Sequence, residues 1–69
     1  MKYEVRVTNV PDGAYDEQYL GVVDREIATL AEARTIVRRF RAEAKTHPEN
    51  FEPGMDARIL RLSDGAEVR

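Results

Sequence analysis

Arg34, Arg38, Arg41 and Lys45 recur at intervals of four, three and four residues. On a helix that spacing gathers four cations into one stripe spanning about 60° of the circumference. A stripe of guanidinium and ammonium groups is suited to binding anions: phosphates, or the carboxylates of an acidic protein surface. None of the four has an acid three or four positions away on the same stretch, so neutralisation must come from another element, from solvent or from a partner. Arginine is also a good helix former, and its stem shields an apolar stripe while its head reaches water. For the stripe alone, a solvated face balanced by sheet carboxylates such as Glu4, Asp24 or Glu26 outweighs a binding ridge.

A second group with chemistry lies in the segment 12–20, DGAYDEQYL. Asp12, Asp16 and Glu17 stand beside Tyr15 and Tyr19, and tyrosine supplies large contact area at low entropic cost. This acidic, aromatic loop is a candidate partner-binding surface opposing a basic groove. The competing reading is a polar loop anchored by Tyr15, with Tyr19 opening a strand. Phe51 and Met55 would form a small apolar patch if exposed; burial under the end of the helix is the expectation.

Catalytic constellations are not assembled. The carboxylates at 16–17 and at 24 and 26 need a cleft to separate their proton affinities, and a chain of 69 residues offers little concavity. His47 is the single histidine and Ser63 falls in a turn, so no nucleophile, base and acid triad is spaced for work. Gly13, Gly21, Gly54 and Gly65 are scattered and build no phosphate-cradling loop. Without cysteine, disulfides and thiolate metal sites are excluded, and one histidine does not make a metal centre. The expectation is a non-enzyme with no cofactor and no metal.

The elements that must position these residues follow from periodicity. Residues 2–10 alternate, with Tyr3, Val5 and Val7 on one side and Lys2, Glu4, Arg6 and Thr8 on the other, which predicts a strand with one buried face. Pro11-Asp12-Gly13 ends it. A second strand is predicted within 19–28, where adjacent Val22 and Val23 demand a bulge near Gly21 or a bend around Asp24. Thr29 and Glu32 form a capping box. Beyond it Leu30, Ala33, Ile36, Val37, Phe40 and Ala44 make the apolar face of a helix from Leu30 to Lys45 or Thr46, ended by Pro48. A third strand is predicted over 57–62, then an Asp64-Gly65 type I′ hairpin turn and a short return strand over 66–69. The fold class is therefore α+β: a small, largely antiparallel sheet of three to four strands with one amphipathic helix on one face, in the order β-β-α-β-β, as a single domain over 1–69. Strand order stays open.

Charge and size bound the partners. The formal net charge is −2, yet the segment 30–45 holds five basic and two acidic residues, leaving the excess acid elsewhere. Opposite surfaces on a small body can attract a partner, a second copy included. A chain this short has a modest core, which makes a homodimer an expectation. No stretch has the ~20 apolar residues of a membrane span, and MKYEVRV is not a signal segment, so a cytoplasmic, soluble protein without membrane contact is expected. Four phosphate contacts would give a salt slope of only about −3.6 on duplex DNA, so nucleic acid ranks below a protein as partner. The run Thr29-Leu30-Ala31-Glu32-Ala33, with the strand before it, resembles the small accessory proteins of bacteriophages and mobile elements, anti-CRISPR inhibitors among them. The likeness is one of overall shape with a shared helix start, so no functional residue carries across. It implies binding without catalysis, with a host complex as the target.

Overall fold

A computed structural model describes residues 2–9 and 18–68, the side chains of Gln18 and Tyr19 excepted. Strands β1 (Tyr3–Asn9) and β2 (Gln18–Ile27) are followed by helix α1 (Leu30–Thr46) and a short 3-10 turn at Pro48–Asn50. Strands β3 (Asp56–Arg61) and β4 (Glu67–Val68) close the chain. The fold is α+β, a four-stranded antiparallel sheet in the order β2-β1-β3-β4 with the helix following β2. The order left open by periodicity is thus decided: β1 lies in the centre, and β2 and β3 flank it. A 17-residue helix rises about 26 Å, enough to carry the chain back along the sheet so that β3 can enter on the far side of β1.

The helix forms where its cap and apolar spacing require. The Thr29 hydroxyl accepts the Glu32 amide at 3.1 Å, and the Glu43 carbonyl accepts the His47 amide at 2.8 Å. Ala33 and Val37 are buried against Val5, Ile27, Ala57 and Ile59, and Leu30, Ile36 and Phe40 border this core. Phe51 tucks under the helix end, its ring edge-on to Phe40 with centroids 5.2 Å apart.

Three expectations are corrected. Strand β1 does not have a single buried face: Glu4, at 1% exposure, and Thr8, at 0%, are buried on the side away from the helix. A central strand is covered by neighbours on both sides, which an edge strand is not, and Glu4 sits directly beside Leu60 of β3, which is also buried. Strand β2 carries more than one irregularity. Its ten residues run beside the seven of β1, and the register shifts at Leu20, at Val23 and opposite Glu4. The shift at Val23 is what lets Val22 and Val23 be neighbours without inverting the strand. The 62–65 turn is not type I′, because Asp64 has no positive φ and Gly65 alone does, at 72°. Instead the Arg61 carbonyl accepts the Gly65 amide at 2.7 Å, and the Asp64 carboxylate accepts the Ala66 amide at 3.0 Å and Arg61 Nε at 3.1 Å. A four-residue loop with glycine in the left-handed region meets the same need as a tight turn.

Candidate functional site

The helix lays its basic stripe along the outer margin of β3. Between them runs a groove of about 610 Å³. Its floor is apolar, made by Val37, Ala57, Ile59 and Val68, and its walls are Arg34, Arg38 and Arg41 on one side with Asp56, Arg58 and Glu67 on the other. Four guanidinium groups against two carboxylates leave the walls net positive, on a chain whose formal net charge is −2.

The expected neutralisation of the stripe by sheet acids takes a different route. Glu4 is held by Arg6 and Arg25 on the far face, Asp24 accepts the Arg25 amide, and Glu26 lies 4.0 Å from Lys2. Asp56 meets the helix through Arg41. Arg41 donates to it from Nε at 2.9 Å and from Nη2 at 3.3 Å, a two-pronged pairing that orients both planes. Arg58 Nη1 donates to the same carboxylate at 2.5 Å, and the Ala57 amide donates at 2.8 Å. Burial pushes the Asp56 carboxyl up, but the hydrogen bonds from Arg41, Arg58 and the Ala57 amide outweigh it and hold it at about 2. Arg38 donates to the Thr35 hydroxyl at 3.2 Å. Among the described residues neither Arg38 nor Lys45 makes an ion pair.

Backbone groups at this margin have their own arrangement. The Arg61 amide donates outward to Ala66 and the Leu62 amide inward to Lys2, so alternation turns the N–H and C=O of Ala57 outward. Strand β4 pairs with β3 at Ile59 and Leu60. Alongside Ala57 the side chains of its two neighbours take over: Asp56 accepts the N–H, and Arg58 Nη1 donates to the C=O at 3.2 Å.

Of the residues singled out by sequence, Arg34, Arg38 and Arg41 come together on the groove wall. Lys45 continues the stripe beyond it, exposed on the last turn. Asp12, Tyr15, Asp16 and Glu17 lie outside the described residues, and Tyr19 is placed only by its backbone, paired with Thr8 in β2. Periodicity missed Asp56, Arg58 and Glu67. The signal was present in Asp-Ala-Arg at the head of a strand, where opposite charges two apart share a side and can clasp across the small residue between them. Among the described residues no group of three or more histidine, aspartate and glutamate side chains converges as metal ligands, and no helix is long and apolar enough to cross a membrane. Compared with known protein families, curated proteins and solved structures, the chain has no significant match.

Proposed function

We propose that this chain is a non-enzymatic protein-binding module whose docking surface is the groove between α1 and the outer margin of β3, and that it takes an acidic segment of its partner. An inhibitor or accessory factor of the phage or mobile-element kind is a role such a module fills. The observation that carries the reading is the pairing of an apolar floor with a net positive wall. Apolar area supplies affinity, and the arginines supply orientation and rate of encounter. A phosphate-binding surface needs no such floor. Phe40 and Phe51 are engaged with each other, so this pair does not present the open stacking faces that single-stranded nucleic acid uses.

The test begins with capture from a bacterial lysate by the immobilised chain, in parallel with Arg38→Glu. The captured protein is then purified and titrated against both. Arg38 is exposed and, among the described residues, bonded only within its own helix, so the substitution leaves the described fold in place. A roughly tenfold weaker affinity for the variant is expected, in the range of a close interfacial charge pair. Equal affinity for both forms sinks the reading.

One observation favours a second reading. Arg38 and Lys45 meet no described acid, so two cations remain for phosphates along the outer helix. Two contacts give a salt slope of only about −1.8 on duplex DNA, a weak and unspecific grip. Low-salt titration with single- and double-stranded DNA and RNA checks it, with loss of binding expected in the Arg38→Glu, Lys45→Glu double variant. No binding at low salt rules it out.

A further inference from the structure

We infer that the outer margin of β3 at Ala57 accepts an extended acidic strand of the partner protein, and that the Asp56 carboxylate is a built-in stand-in which this strand displaces. The inference deepens the protein-binding reading of the groove and rests on it. The outer rows of β2 and of β3 ahead of its pairing with β4 differ. Three register shifts interrupt β2, so its outer row of amide and carbonyl groups is irregular, a common device against unwanted pairing. The β1–β3 register runs without a shift from Tyr3↔Arg61 to Thr8↔Asp56, so the backbone of β3 is regular; β4 pairs with its outer side at Ile59 and Leu60, and Ala57 lies ahead of that pairing.

At Ala57 that edge is occupied from within. The amide donates to Asp56 Oδ1 at 2.8 Å and the carbonyl accepts Arg58 Nη1 at 3.2 Å. The same Asp56 carboxylate takes Arg41 and Arg58. A strand lying antiparallel to β3 offers the same set of groups from outside: a backbone carbonyl for the Ala57 amide, a backbone amide for the Ala57 carbonyl, and an acidic side chain for the two arginines. Alternate side chains of such a strand then point to the floor at Val37, Ile59 and Val68. The segment recognised is therefore extended, with apolar and acidic residues alternating. Charge complementarity selects the acid, because the groove walls are net positive.

Titration of the 15N-labelled full chain with acetyl-Glu-Val-Glu-Val-Glu amide tests this by NMR. Large shifts of the Ala57 and Arg58 amide signals are expected. A matching peptide with N-methylated central amides keeps the charge and loses the backbone donors, and at least tenfold weaker binding is expected. Asp56→Asn removes the internal competitor's charge and is expected to bind the acidic peptide about tenfold tighter. Arg58→Gln serves as the second variant and is expected to bind more weakly. If the N-methylated peptide binds equally, or shifts are confined to Arg34 and Arg38, strand pairing is wrong while a charge-guided groove survives. If no groove signal moves with millimolar peptide, or an oligothymidylate alone moves them, strand pairing falls together with the acidic-segment reading.

Discussion

Two carboxylates, Asp56 and Glu4, show how differently one functional group is used within one sheet. Asp56 gathers Arg41, Arg58 and a backbone amide at the sheet margin. Its folded value of about 2 lies below the ordinary 3.8, so it stabilises the fold fully above pH 4 and loses that contribution as pH falls through 2. Acid unfolding should therefore steepen between pH 4 and 2, and Asp56→Asn should remove about 1 kcal/mol of this component after allowance for solvent screening. Urea titrations at stepped pH measure it. Asp64 is also lowered, by the Ala66 amide and then by Arg61, and acts in the same direction. Glu4 is buried, with Arg25 Nε 2.7 Å from one oxygen and Arg6 on the other. The Oε1 atom makes no directed hydrogen bond, so Arg25 holds it by charge alone. Both arginines remain partly in water, which softens the penalty of losing their partner. Glu4→Ala should cost about 2 kcal/mol through lost packing and pairing, and Glu4→Met, which refills the volume, under about 1 kcal/mol. The urea midpoint at unchanged slope reports both. A strand alternation marks Glu4 as facing away from Val5; whether that face is wet depends on which strands lie beside it.

Elements were more legible than residues. The helix is found where Thr29, the three-four apolar spacing and Pro48 place it, running to Thr46. Thr29→Ala should lower stability by about 1 kcal/mol, read from the thermal or urea midpoint, because one orphan amide of the first turn loses its acceptor. Strand β2 shows where local reading stops. Val22 and Val23 announce one irregularity, but three occur, and the one opposite Glu4 places Glu26 at a φ of 57°. A side chain in that region is strained, and glycine is not. Glu26→Gly should therefore keep or raise stability by up to about 1 kcal/mol, and Glu26→Val should lower it by about 1 kcal/mol or more; equal loss in both variants would refute the assignment. Nothing in Asp-Arg-Glu by itself selects a left-handed residue, because the requirement comes from keeping Ile27 opposite Tyr3.

At the scale of the whole molecule the apolar core is small: among the described residues it comprises Val5, Ile27, Ala33, Val37, Ala57 and Ile59, with no described large aromatic fully inside. Chains of this size rarely draw more than about 3–5 kcal/mol from such a core, so Val37→Ala, at about 2 kcal/mol, should remove close to half of it. Leu20 and Val22 are 50% and 46% exposed on an interrupted edge. Substituting them with lysine should shift stability by under about 0.5 kcal/mol, and sedimentation of that variant beside the parent shows whether this edge draws copies together. The sequence by itself determined the α+β class, the position and inner face of the helix, and the grouping of Arg34, Arg38 and Arg41, because each depends on periodicity within a short stretch. Only the tertiary structure decided that β1 is central, that Glu4 is dry, and that Asp56 rather than an acid of β1 or β2 meets the arginines. Those outcomes depend on which distant segments become neighbours, and hydrogen-bonded strand order is set by the summed burial of the whole sheet, which no local spacing encodes.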